Sequence, residues 1–109
     1  IFPGSCLPSV AVMADVARRS SDLTVTHLED ITPHYATTLR AWYDRFQDRL
    51  TDVRALGFSE PFIRMWEYYL CLCEAGFRER INGSVQLVLV KPEFRGQPPL
   101  GALATGRRL

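Results

Sequence analysis

A short and almost entirely apolar segment, Val85–Val90, limits the folds open to this chain more than any other feature of the sequence. A run of this length and composition is typical of a strand buried on both faces, which needs neighbouring strands and a covering layer on each side. Only Leu23–Leu28 shows a second strand pattern, β-branched and partly alternating. Because two strands alone form a marginal sheet, the pattern predicts that the chain is one piece of a larger domain.

A long amphipathic helix is predicted to begin at Thr32, whose hydroxyl is a candidate cap, with Pro33 at the first helical position. Gly57 can end the helix in the left-handed conformation that glycine adopts freely. Apolar residues recur between these points at intervals of three, four or their sums, which indicates one continuous stripe. The stripe consists of Leu39, Trp42, Tyr43, Phe46, Leu50 and Val53.

Two further helices are predicted. One follows Pro8-Ser9, with either Ser9 or the residue before Pro8 as its cap, and the other runs from Ser59 to near Arg80. Helices and strands therefore follow one another in an α/β order. Residues 93–109 contain three glycines and two adjacent prolines and carry no acid after Glu93, so we expect a disordered tail there. The stripe of the later helix consists of Phe62, Met65, Trp66, Tyr69, Leu70, Cys73 and Phe77.

Composition excludes several classes of function. Thirteen basic and twelve acidic residues give a net charge of +1, which argues against a nucleic-acid-binding surface. Three cysteines are too few, and odd in number, for a disulfide framework, so we expect a reducing compartment, the cytoplasm. Cys71 and Cys73 would point in different directions on a helix, so no metal site is assigned. The chain shows no signal peptide, no initiator methionine and no apolar run near the roughly 20 residues that cross a bilayer, which fits a fragment of a cytoplasmic protein.

The segment Phe62–Arg80 resembles the penultimate helix of cyclopropane-fatty-acid-phospholipid synthases and of the related mycolic-acid cyclopropane synthases. Three other segments resemble further parts of these enzymes, in the same order: Ile1–Ser9 a loop into a helix, Pro33–Trp42 a helix opening, and Val85–Pro92 the last strand. The resemblance covers residues 1–92.

This resemblance implies an α/β fold, the C-terminal part of a class I S-adenosylmethionine-dependent methyltransferase of Rossmann-like architecture. Residues 1–92 would supply two long amphipathic helices and the last two strands of the sheet, paired antiparallel. The glycine-rich loop that binds the methyl donor would lie upstream, and no G-x-G motif occurs in this chain. We therefore expect this portion to be inactive alone.

Members of this family transfer a methyl group from S-adenosylmethionine to the cis double bond of an unsaturated acyl chain. The resulting carbocation loses a proton to a bound bicarbonate and closes a cyclopropane ring. The resemblance therefore implies S-adenosylmethionine and bicarbonate as cofactors and unsaturated phospholipid acyl chains as substrates. It also leaves room for peripheral contact with the inner face of the membrane.

Four residues of this chain match functional positions of the family. Tyr35 matches the tyrosine whose hydroxyl helps to hold bicarbonate, whereas the family's cysteine, glutamate and histidine ligands would lie upstream. Leu39, Tyr69 and Cys73 match positions that line the acyl-chain tunnel of the mycolic-acid enzymes. Each has a plain structural alternative: a core tyrosine for Tyr35 and helix–helix packing for the other three.

Two other functions stay open at this point. The helices could form a non-enzymatic module that binds a partner protein or a lipid surface. The parent enzyme could also be a related acyl-chain methyltransferase with a methyl-branched product. If the chain stood alone, the apolar strand Val85–Val90 would leave a sheet face and an edge uncovered, so we expect self-association.

Overall fold

A computed structural model describes residues 1–97. The chain consists of two compact units. The first contains Ile1–Glu29 and the segment that begins at Val85, and the second is Asp30–Ser84. No helix among the described residues is both long enough and apolar enough to cross a membrane. The elements in chain order are α1 (Val10–Ser20), β1 (Thr24–Asp30), α2 (Thr32–Asp48), α3 (Leu50–Ala55), α4 (Glu60–Arg78) and β2 (Val85–Val90).

The first unit contains α1 and a two-stranded sheet of β1 and β2. Of the two predicted candidates for the cap of α1, Ser9 is the one that forms it, because its side chain accepts a hydrogen bond from the Val12 amide. The strands run antiparallel, and the Thr26 hydroxyl lies 3.5 Å from the Val88 carbonyl oxygen to which it donates. β2 has the predicted bounds, and β1 lies one to two residues later than predicted.

The prediction that β2 is buried on both faces is wrong for this chain. None of its six residues is buried, and Leu89 is exposed. The strand pairs with β1 alone in the described part of the chain, so neither face has the covering layer that its composition calls for. Of the predicted tail, residues 93–97 are exposed and form no helix or strand, whereas residues 98–109 lie outside the described residues.

The second unit is formed by helices that pack along their apolar faces, chiefly α2 against α4. A hydrogen bond of 2.7 Å from Gln47 to Glu67 joins the same two helices. The Ser59 side chain accepts from the Phe62 amide, which confirms the predicted start of α4. The buried apolar residues of the unit are Ala36, Leu39, Ile63 and Leu70.

The single long helix predicted from Thr32 is instead two helices. Arg49 leaves helical geometry with φ −111° and ψ 13°, and its amide donates to the Phe46 carbonyl. The apolar stripe nevertheless continues, because Leu50 and Val53 are half-buried on α3. Gly57 ends α3 at φ +89°, in the left-handed conformation predicted for it.

The predicted cap of α2 is also wrong. The Thr32 hydroxyl does not cap the helix; it accepts a hydrogen bond from the Ser84 amide at 3.1 Å. The capping acceptor is the Asp30 carboxylate, which lies 2.9 Å from the Thr32 amide nitrogen. The first turn of α2 is therefore held by the residue that ends β1 and by the residue that precedes β2.

Candidate active site

Tyr35 lies in the first turn of α2, half-buried, and its amide donates to the Ile31 carbonyl at 3.1 Å. Its ring contacts two other aromatic rings. The centroid of Phe77 on α4 lies 4.8 Å away, and that of Trp42, two turns later on α2, lies 6.0 Å away and edge-on. Such pairs contribute about 0.5–1.5 kcal/mol each beyond the area they bury. The ring is therefore fixed from both helices.

Tyr69 and Cys73 lie one turn apart on α4, and both side chains are half-buried. Burial raises the pKa of the Tyr69 phenol, and the hydrogen bond with the Cys73 side chain and the charge interactions with Cys73 and Tyr35 raise it further. Tyr69 is therefore a neutral phenol at physiological pH. Tyr69 and Cys73 are thus neighbours on α4, and Tyr35 contacts the same helix through the ring of Phe77.

Leu39, the fourth, lies one turn after Tyr35 on α2. Its side chain is 3% exposed and belongs to the core of the helix pair. In the structure, Leu39 therefore has the role of a residue that packs between helices, which was its structural alternative. Contact between Leu39 and an acyl chain stays a prediction.

An apolar groove of about 290 Å³ lies on the same unit and was not predicted. It is connected to Tyr69 by a series of aromatic rings along α4. The centroid distances in this series are 4.4 Å from Phe58 to Phe62, 6.2 Å from Phe62 to Trp66, and 5.6 Å from Trp66 to Tyr69. The helical spacing of these rings is visible in the sequence, but the gap beside them is not. The groove is lined by Phe46, Val53, Phe58, Phe62 and Trp66.

A polar cluster at the start of α2 was also missed. An ion pair of 2.8 Å joins Asp30 to Arg80, and Thr32 is buried beside Ser84. The pKa of Asp30 lies well below its usual range because the carboxylate accepts hydrogen bonds from Arg80 and from Thr32. Since Asp30 and Arg80 are 50 positions apart in the sequence, no local pattern could have paired them.

Comparison with known proteins identifies the family. The model of the family described as mycolic acid cyclopropane synthetase matches residues 1–87. A tuberculostearic acid methyltransferase of Mycobacterium tuberculosis is 42% identical over 91 residues, which cover 84% of this chain and 21% of that protein. The cyclopropane-fatty-acyl-phospholipid synthase of Escherichia coli is 40% identical over 80 residues, which cover 73% of this chain and 20% of that protein.

A third relative, cyclopropane mycolic acid synthase 1 of Mycobacterium tuberculosis, is 36% identical over 78 residues, or 72% of this chain and 26% of that protein. The chain thus spans a fifth to a quarter of the length of these relatives. The region matched by the family model contains α1, β1, the first three residues of β2 and the whole helical unit with Tyr35, Leu39, Tyr69 and Cys73. This chain belongs to the mycolic acid cyclopropane synthetase family.

Proposed function

We propose that this chain is the C-terminal part of an S-adenosylmethionine-dependent methyltransferase that acts on unsaturated acyl chains of lipids. The two long helices α2 and α4, the two antiparallel strands and the order of these elements are compatible with the edge of a Rossmann-like methyltransferase domain. The chain contains no glycine-rich loop for the donor. Its residues therefore do not form a donor site, and the isolated chain is inactive.

The observation that carries the proposal is the environment of Tyr35. The Tyr35 side chain is half-buried, and its ring contacts the rings of Phe77 and Trp42. A hydroxyl held in such partly dry surroundings donates a stronger hydrogen bond to an anion than it would in water. Bicarbonate would supply the base that removes the proton, and Tyr35 would hold this anion by donating its hydroxyl proton.

The groove beside α4 supports an acyl chain as the substrate. Its five lining residues are apolar, and the aromatic series leads from it to Tyr69. We propose that the chain lies along Tyr69 and Cys73, so that its double bond comes near Tyr35, while the groove takes an apolar end. In the whole enzyme this path would have to be closed to water, which would otherwise trap a carbocation.

Two products fit this site. A cyclopropane product, formed by a methylene bridge across the double bond, is supported by the names of the cyclopropane-fatty-acyl-phospholipid synthase and of cyclopropane mycolic acid synthase 1. The relative that is 42% identical is named a methyltransferase instead, which supports a product that is methylated without a ring. Lipid analysis by mass spectrometry and proton NMR separates them, because only the ring gives strongly upfield methylene signals. Peripheral contact with the inner face of a membrane stays a prediction.

Tyr35→Phe in the full-length protein tests the proposal. The substitution keeps the ring and its packing but removes a hydrogen bond to an anion that contributes about 1.5–3 kcal/mol. If this loss falls on the rate-limiting barrier, we expect kcat to fall roughly ten- to a hundredfold. Added bicarbonate should restore part of the rate, because the defect lies in binding the anion.

Tyr68→Phe is the matched control, since it removes the hydroxyl of an exposed tyrosine on α4. We expect this variant to keep its kcat within about twofold, as surface substitutions away from such features have small effects. Wild-type turnover and unchanged bicarbonate dependence in Tyr35→Phe would return Tyr35 to the structural core.

A further inference from the structure

We propose that Asp30 and Arg80 are positioning residues that hold Tyr35 in place through the start of α2. This inference rests on the proposed function, because it concerns the placement of the residue assigned to the anion. Neither residue matches a family position named above. Their contacts with each other, with Thr32 and with Ser84 carry the proposal.

The backbone of Arg80 is the first observation. Arg80 has a φ of 55°, and it is the only residue other than glycine with a positive φ among residues 1–97. It follows the end of α4, where the Ile81 amide donates to the Gly76 carbonyl at 2.9 Å. Glycine is the usual residue at such a position, because an L side chain is strained there. An arginine at this position is best explained by what its side chain does.

The Arg80 side chain reaches the start of the other helix. Its Nη1 lies 2.8 Å from Oδ2 of Asp30, while Oδ1 of the same carboxylate lies 2.9 Å from the Thr32 amide nitrogen. One carboxylate thus joins the end of α4 to the first turn of α2. The second link is the buried Thr32 hydroxyl, which accepts from the Ser84 amide at 3.1 Å.

These links lead directly to Tyr35. The Ile31 amide donates to the Ser84 carbonyl at 2.9 Å, and the Ile31 carbonyl accepts from the Tyr35 amide at 3.1 Å. The Phe77 ring, which contacts Tyr35, belongs to the last turn of α4, three residues before Arg80. The ring of Tyr35 is therefore held by the last turn of α4, and its backbone is linked through Ile31 to Ser84 in the segment that follows α4.

Stability alone does not account for this arginine. Its side chain is 63% exposed and that of Asp30 is 44% exposed, and ion pairs this open to solvent contribute little to folding. The strained backbone opposes folding as well. What the pair does supply is a fixed geometry between two helix ends, on which the rate of a reaction between positioned groups depends steeply.

Arg80→Gly in the full-length protein distinguishes a role in positioning Tyr35 from a role in stabilising the fold. Glycine removes the side chain but adopts a positive φ without strain, so the unfolding temperature should stay the same or rise. We nevertheless expect kcat to fall on the order of three- to tenfold, with KM for the unsaturated lipid unchanged. Raised bicarbonate should recover part of the rate, as in Tyr35→Phe, and Arg80→Lys should retain more of it than Arg80→Gly.

Arg54→Ala is the matched control, because Arg54 also forms an exposed ion pair between two helices, with Glu60 at 2.6 Å. It lies far from Tyr35 in the sequence and contacts neither Asp30 nor α2's first turn in any pair described here, so kcat should be unchanged. Combining Asp30→Asn with Arg80→Gly should lower kcat by less than the product of the two single effects, since both break one contact.

Three results would overturn the proposal. Wild-type kcat in Arg80→Gly, together with a lowered kcat in Tyr35→Phe, would remove the positioning role and leave the proposed function intact. A loss of kcat in Arg80→Gly accompanied by an equal loss of folded protein would show a purely structural role. Absence of methyl transfer by the wild-type full-length protein would overturn the proposed function, and this inference with it.

Discussion

The two units of the chain differ in how far their apolar side chains are buried. The helical unit Asp30–Ser84 contains every buried apolar residue of the described chain, whereas α1 and the two strands bury none. Val12, Val16 and Leu28 of the first unit are all exposed. The apolar stripes of α2 and α4 pack against each other. Within residues 1–97, no further layer covers the apolar side chains that α1 and the sheet leave exposed.

This difference bears on the candidate site. Tyr35, Tyr69, Cys73 and the apolar groove all lie in the unit that packs on itself. Their arrangement is therefore fixed by contacts within Asp30–Ser84. The first unit, by contrast, leaves apolar side chains of α1 and of both strands exposed.

The largest effect expected from this comparison is on the stability of the helical unit. Ile63 is 2% exposed in the core between α2 and α4. Ile63→Ala removes buried methyl groups and leaves a cavity, so we expect the free energy of unfolding to fall by about 2–5 kcal/mol. Urea unfolding of the 109-residue chain, followed by helical circular dichroism, measures this change.

Two controls use exposed apolar residues. Met65→Ala, on the same helix, changes a side chain that is 44% exposed, and Val16→Ala changes one that is 47% exposed on α1. Both should alter the free energy of unfolding by no more than about 0.5 kcal/mol. A loss for Val16→Ala as large as that for Ile63→Ala would mean that the first unit has a core of its own.

The second effect concerns association of the 109-residue chain through its first unit. A groove of about 500 Å³ lies there, lined by residues that include Val12, Val16, Leu87 and Leu89. We expect two or more copies of the isolated chain to cover these surfaces mutually. Leu89→Lys should raise the dissociation constant roughly ten- to a hundredfold, because it removes a leucine from the contact and buries a charge.

Analytical ultracentrifugation over a range of concentrations measures this constant. Gln86→Lys is the control, because side chains alternate along a strand and residue 86 lies on the opposite face from Leu87 and Leu89. A wild-type chain that stays monomeric at high concentration would show that the first unit is self-sufficient, against the comparison above.

Features of the fold that depend on neighbouring residues could be predicted from the sequence. The helix start at Ser59, the glycine turn at Gly57 and the bounds of β2 are set by a few adjacent residues, and these three predictions are confirmed. The cap of α1 is Ser9, one of its two predicted candidates. The break at Arg49 could not be predicted, since the apolar stripe keeps its period across it.

The candidate site divides in the same way. Helical spacing placed Tyr69 and Cys73 on one face of α4, where their side chains form a hydrogen bond, whereas their role toward a lipid stays a prediction. The cap at Thr32 was assigned wrongly because the true acceptor is Asp30 and the true partner of the hydroxyl is Ser84, 52 positions away. Contacts between residues so far apart in the sequence depend on the tertiary fold, which no local sequence pattern specifies.

The smallest expected effect is a dependence of the helical unit's stability on pH. Arg80 and Thr32 hold the pKa of Asp30 below its usual range in the folded chain. A carboxylate with a lowered folded pKa stabilises the fold above its unfolded pKa, near 4 for Asp, and loses that contribution as the pH falls toward the folded value.

Asp30→Asn keeps an oxygen that can accept from the Thr32 amide but removes the charge that pairs with Arg80. The wild type should therefore be more stable than Asp30→Asn at pH 7, and the difference between their urea midpoints should shrink progressively below about pH 4. High salt at pH 7 should shrink it too, because the pair is exposed and screened. A difference that stays constant from neutral to strongly acidic pH would show that the charge of Asp30 does not hold the start of α2.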